Sequence, residues 1–173
     1  VCNSVLRIRL RNYGFFRYFC NRFSACWRQS QELNYTRQHK MLDFSTIEQL
    51  DRIATPFYYY DMDLFHKTVD HVAELASAYD IKVHYAIKAN VEKRLLEYIS
   101  SKGFGADCVS GNEVLHAHDC GFPADKIVYA GVGKSDKEIY NALTLGIEAF
   151  NCESLQGIFV INEMAHHYGV RAS

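Results

Sequence analysis

The chain has 173 residues, 49% of them hydrophobic and 23% charged, which suits one globular core. No run approaches the roughly 18 unbroken apolar residues of a membrane span, and no positive flank leads into an apolar signal core, so nothing directs the chain to a membrane. The net charge of −1 hides a split: residues 1–40 hold eight Lys/Arg against the single acid Glu32, giving +7, so the rest carries −8. The basic segment crowds Phe15, Phe16, Tyr18, Phe19 and Phe23 among arginines with no helical or strand period. It reads as an Arg-rich transit peptide, a nucleic-acid arm, or upstream DNA translated ahead of a start at Met41.

Beyond Met41 the elements follow in order. Phe65, Val69, Val72, Ala76 and Tyr79 share one helical face over about 62–79, with Asp61 as N-cap. IKVHYAIKAN predicts a strand over 81–89, with Val83, Tyr85 and Ile87 on one face and His84, Ala86 and Lys88 on the other. A helix over 92–102 buries Leu95, Leu96 and Ile99 and stops at Gly103. Strand 105–110 precedes helix 112–119, strand 127–131 precedes helix 135–145, and strand 148–152 precedes helix 154–168, with stops at Cys120-Gly121, Gly146 and Gly169. Four strand-then-helix units without a hairpin signal argue a parallel sheet with right-handed crossovers. Either an eight-stranded barrel or an open doubly wound sheet fits.

Lys88 is either polar punctuation at a strand end or an interior amine, poorly hydrated and able to form a Schiff base with a carbonyl. Asp107 lies among Gly105, Ala106, Cys108 and Val109, where a carboxylate needs a partner. Ser110 and Glu113 read equally well as site residues or as a capping box. AGVGKS (130–135) invites a phosphate-loop reading, but the position that needs its first glycine is Val128, so nucleotide hydrolysis is set aside. The pairs His116/His118 and His166/His167 cannot share a helical face and read as surface residues. No cysteine pair has zinc-ribbon spacing; Cys108, Cys120 and Cys152 read as reduced thiols of a cytosolic protein.

Five segments in order, TPFYYYD (55–61), HYAIKAN (84–90), GFGADCVSGNEV (103–114), GFPADKIVYAGVGKSDKEI (121–139) and GIEAFNCES (146–154), resemble the diaminopimelate decarboxylase family of fold-type III pyridoxal-phosphate enzymes. The resemblance implies the first half of a (β/α)8 TIM-type barrel of the alanine-racemase-like kind. A whole barrel needs about 250 residues, so the later strands and the C-terminal β-domain are expected beyond Ser173. It also implies pyridoxal 5'-phosphate as cofactor, held by Lys88, with Asp107 and Ser110 beside it and no metal. The Gly-x-Gly-Lys turn at 131–134 is similar to that of the diaminopimelate branch rather than the ornithine and arginine branches. The implied reaction is decarboxylation of meso-diaminopimelate to L-lysine by a cytoplasmic homodimer that binds neither nucleic acid nor membrane. Decarboxylation of arginine, ornithine or carboxynorspermidine, or a non-catalytic cofactor-binding fragment, are the alternatives. Since the resemblance begins only after Met41, residues 1–40 are expected to lie outside the barrel and residues 41–173 to be its first part.

Overall fold

The computed structural model describes residues 6–8 and 52–173. The remainder of residues 1–40 and the boundary at Met41 lie outside the described residues. Helix α1 (Met62–Ala78) forms where the sequence places an apolar face, and it buries Val69. Asp61 caps it, its Oδ1 accepting the Leu64 N–H at 2.9 Å. Strand β2 (Val83–Ala86) is followed by α2 (Lys93–Ser101), which buries Leu95, Leu96 and Ile99 as its spacing predicts. Each such side chain contributes on the order of 1.5–3 kcal/mol when fully removed from water. The pattern repeats through β3 (Gly105–Cys108), α3 (Gly111–Asp119), β4 (Ile127–Tyr129), α4 (Asp136–Leu145), β5 (Ala149–Phe150) and α5 (Leu155–His167). Gly146 ends α4 in the left-handed region at φ 73°, where a glycine avoids the Cβ clash.

Strands β2, β3, β4 and β5 pair in parallel and in chain order, as βαβ crossovers require. The register aligns Ala86, Asp107, Val128 and Ala149 in one row and Cys108, Tyr129 and Phe150 in the next. Phe150 packs against Ile139, Leu143, Ile161 and Ala165 of α4 and α5, so its row faces the helices. By alternation, the row containing Asp107 faces away from them. In a closed (β/α)8 barrel that face is the interior. At the β5 edge the Phe150 N–H donates to the Ser173 carbonyl at 2.8 Å, so the segment after Val170 comes alongside as a further strand would.

Two expectations need correction. The strand predicted over 81–89 ends at Ala86, because Ile87–Ala89 wind into a 3-10 turn closed by the Asn90 N–H on the Ile87 carbonyl at 3.1 Å. The Asn90 side chain then accepts the Glu92 N–H at 2.9 Å, an Asx turn that redirects the chain into α2. The β-rich composition of the run conceals that bend. Ile87 is buried and Lys88 is exposed, so Lys88 does not continue the interior row of His84 and Ala86. The second correction concerns residues 1–40, where no strand period is read. Leu6–Ile8 nevertheless forms β1, antiparallel to β2 with Leu6 opposite Tyr85 and Ile8 opposite Val83. Three residues are too few for periodicity to show, and the N–H and C=O groups along a bare strand edge are open to such pairing.

Candidate active site at the carboxyl ends of the strands

In parallel α/β sheets, ligands bind where the strands end and the βα loops begin. Lys88 stands at that edge, two residues beyond Ala86, and the turn carrying it packs against β3 and α3. Its side chain is exposed and makes no ion pair among the described residues. Asp107, in ladder register with Ala86, is 5% exposed. Ser110 starts α3 as its N-cap, its hydroxyl accepting the Glu113 N–H at 3.2 Å. Only half of the expected capping box forms there, because Glu113 Oε2 reaches past Ser110 to accept the Val109 N–H at 2.8 Å. Lys88, Asp107 and Ser110 thus lie at the carboxyl-terminal part of two adjacent strands.

Two further residues at this edge make contacts that the sequence does not foretell. Glu138, on the first turn of α4, accepts the Gly111 N–H at 2.9 Å and the Ser135 N–H at 2.9 Å. With the Ser135 hydroxyl it completes a full capping box. The Ser135 N–H first, then the Gly111 N–H and the Ser135 hydroxyl, hold its carboxyl down at about 2. The neighbouring Tyr129 hydroxyl is pushed up to about 12, by burial first and then by the Glu138 charge. Its S-x-x-E pattern at 135–138 is a sequence signal for the cap, but nothing local signals the bond to Gly111, 27 residues away.

Lys134 is the second. Its side chain is only 8% exposed, and its ammonium donates to the carbonyls of Gly131 and Asn151, the latter at 2.9 Å. It lies 5.1 Å from the centre of the Tyr129 ring. A phosphate-loop lysine needs its ammonium free for the ligand; here it is spent on two carbonyls, in agreement with rejection of that reading. Gly131 sits at φ 96°, and a Cβ there would come within 2.7 Å of the Val109 carbonyl oxygen, so the turn requires glycine.

A cavity of about 750 Å³ opens past the ends of β4 and β5, lined among others by Val109, Gly131, Asn151 and Glu153 at the strand ends and by Phe150 and Ile161 on the helix side. Lys88, Asp107 and Ser110 do not line it; Val109, between the latter two, does. The cavity thus approaches the candidate residues at Val109 and extends from there along the β5 edge and α5.

Away from this edge, His84 Nε2 and Glu148 Oε2 lie 2.7 Å apart, and Lys82 meets the other Glu148 oxygen at 3.1 Å. Burial opposes the charge on Glu148, but the bonds from His84 and Lys82 outweigh it and leave the carboxyl below its ordinary value. This pair stands at the amino ends of the strands, where a barrel is held together rather than catalytic. Among the described residues no cluster of His, Cys, Asp and Glu could hold a metal. His166 and His167 are exposed, as expected, whereas His116 is half-buried and its Nε2 lies 2.9 Å from the Val91 carbonyl oxygen. Cys108, Cys120 and Cys152 are free thiols, and Cys108 and Cys120 are buried. No described helix is long and apolar enough to cross a membrane.

The family described as "Pyridoxal-dependent decarboxylase, pyridoxal binding domain" matches residues 64–172. Diaminopimelate decarboxylase of Bacteroides thetaiotaomicron is 47% identical over 120 residues, 69% of this chain and 31% of that protein. The Aquifex aeolicus enzyme of the same name is 38% identical over 125 residues, 72% of this chain and 29% of that protein. The crystal structure of diaminopimelate decarboxylase from Helicobacter pylori, complexed with L-lysine, superposes with a TM-score of 0.64 at 35% identity, covering 73% of this chain and 32% of that one. Ornithine decarboxylase from Entamoeba histolytica superposes with a TM-score of 0.52 at 26% identity, over 58% of this chain and 32% of that one. The chain spans about a third of the length of the curated relatives it matches. With that domain matched over the strands and helices that carry Lys88 and Asp107, the chain belongs to the pyridoxal-dependent decarboxylases.

Proposed function

We propose that this chain is part of an enzyme that decarboxylates meso-diaminopimelate to L-lysine with pyridoxal 5'-phosphate, and that Lys88 anchors the cofactor. The observation that carries the reading is an exposed lysine amine just past the end of β2, beside a buried Asp107 on the neighbouring strand, in a chain that matches a pyridoxal-binding domain. The residues fit the group. An aldehyde cofactor needs an uncommitted amine within reach of solvent and substrate, which Lys88 offers. A buried carboxylate on the neighbouring strand, Asp107, suits a place beside the cofactor. When bound, the cofactor serves as the sink for the electron pair left by departing carbon dioxide.

The chain's own residues do the remaining work. Lys88 would hold the cofactor through its amine. Asp107 fixes the local electrostatics from the interior row, and Ser110 sets the first turn of α3 beside it. The βα loops after β4 and β5, tied together through Lys134, border the site on its other side. The diaminopimelate assignment draws on identities of 35–47% to enzymes of that name, against 26% to the ornithine decarboxylase. A homodimer in the cytoplasm completes the reading, and the free, buried Cys108 and Cys120 suit a reducing compartment.

The test uses the full-length protein, this chain carried to the length of its relatives. Carbon-dioxide release is measured with meso-diaminopimelate, ornithine, arginine and carboxynorspermidine in turn. A kcat/KM for diaminopimelate at least a hundredfold above the others is expected, since the site must pair the distal charged group of its own substrate. A preference for any of the other three would overturn the substrate, and the absence of all four activities would overturn the reaction.

A further inference from the structure

The loops that follow β4 and β5 are tied together by a closed set of contacts around Lys134. Its ammonium donates to the Gly131 carbonyl on its own loop and to the Asn151 carbonyl on the next. Glu153 closes the set from the second loop: its Oε1 accepts the Gly131 N–H at 3.0 Å, and its Oε2 lies 3.7 Å from the Lys134 ammonium. Gly131, Asn151 and Glu153 all line the 750 Å³ cavity, whereas Lys134 itself stands behind them. A lysine side chain that is 8% exposed is costly unless its donors are used, and here its hydrogen-bond and ion-pair partners are all cavity-wall groups. A surface lysine would have no reason to be buried at this point. The Tyr129 ring beneath it restricts the positions the ammonium can take.

We infer that Lys134 is a positioning residue: acting through the Gly131 and Asn151 carbonyls and Glu153, it holds the β4 and β5 loops at the spacing that shapes the substrate side of the site. The inference deepens the proposed function and rests on it for the statement that the loops after β4 and β5 border the site. Lys88, which would hold the cofactor, stands after β2, so loosening the β4–β5 wall is expected to change how substrate is held more than how cofactor is held. The consequence is a specific kinetic split. Removing the ammonium raises KM while leaving kcat and cofactor content nearly as they were.

Lys134→Met keeps the length and apolar stem of the side chain and removes its three donors. In the full-length protein loaded with cofactor, KM for the preferred amino acid is expected to rise about tenfold or more, with kcat within about threefold. Hydrogen exchange in peptides covering 129–134 and 150–153 is expected to quicken while that of β2 and β3 stays unchanged. Glu153→Ala removes the other arm from a half-exposed position, where folding tolerates it, and is expected to move the same two readouts in the same direction. If Lys134→Met fails to fold, Glu153→Ala alone decides. Unchanged KM together with unchanged exchange at both loops would overturn the inference, as would an equal loss of kcat and cofactor. Quickened exchange in a protein whose wild type decarboxylates none of the amino acids would defeat the functional reading while leaving the staple between the loops in place.

Discussion

Replacing Glu138 by alanine tests how the α3 and α4 helix starts are held at the site edge. The carboxylate accepts from the Gly111 N–H, the Ser135 N–H and the Ser135 hydroxyl at 2.8–2.9 Å. Loss of a helix cap costs about 1 kcal/mol, and loss of a charge-assisted bond to a part-buried N–H about 1.5–3 kcal/mol. One carboxylate serves all three, so these do not simply add, and about 2–3 kcal/mol is expected. An independent bound comes from titration. Held down from 4.5 to about 2, the carboxyl links to at most roughly 3 kcal/mol, and its partial exposure to solvent trims that figure. Because the folded-state value is the lower one, this stability is fully present above about pH 4.5 and is lost as pH falls through about 2. Urea unfolding of the full-length protein and its Glu138→Ala variant should therefore differ by about 2–3 kcal/mol at pH 7, with the gap narrowing as pH is lowered from 5 to 3. A gap under about 0.5 kcal/mol at pH 7, the scatter of ordinary surface substitutions, or one that stays constant with pH, refutes the reasoning.

Gly131→Ala places a side chain at φ 96° and within 2.7 Å of the Val109 carbonyl; a loss of about 2–4 kcal/mol is expected, read as a lower urea midpoint at constant slope. Deleting residues 1–40 from the full-length protein is expected to leave melting temperature and turnover unchanged, because a closing barrel strand would occupy the β2 edge. In the 173-residue chain alone the same deletion uncovers that edge, where β1 now pairs, and should promote aggregation visible by size-exclusion chromatography. That chain alone should release no carbon dioxide from diaminopimelate; measurable turnover would show that its residues suffice.

Helix faces and stops were legible because they depend on neighbours in sequence: Leu95, Leu96 and Ile99 are buried as spaced, and Gly146 caps α4 as placed. The order of parallel strands followed from the unbroken alternation of strand and helix. Strand ends were less legible, and at Lys88 this mattered, since a run with every mark of a strand bends into a 3-10 turn two residues early. The two S-x-x-E segments show the limit of local pattern. Ser135 and Glu138 form the full box, while Glu113 passes over Ser110 to bond Val109. What could not be read at all are partners set by the register of the sheet. Lys134 finds Asn151 17 residues on, and His84 finds Glu148 64 residues on, only because parallel strands bring their ends together.

The central claim is that Lys88 carries the cofactor, and borohydride reduction of the full-length protein loaded with pyridoxal 5'-phosphate, followed by peptide mass spectrometry, tests it most directly. One stable phosphopyridoxyl adduct is expected on the peptide containing Lys88, absent from Lys88→Ala together with turnover. An adduct on another lysine, or one that persists in the Lys88→Ala protein, would contradict it.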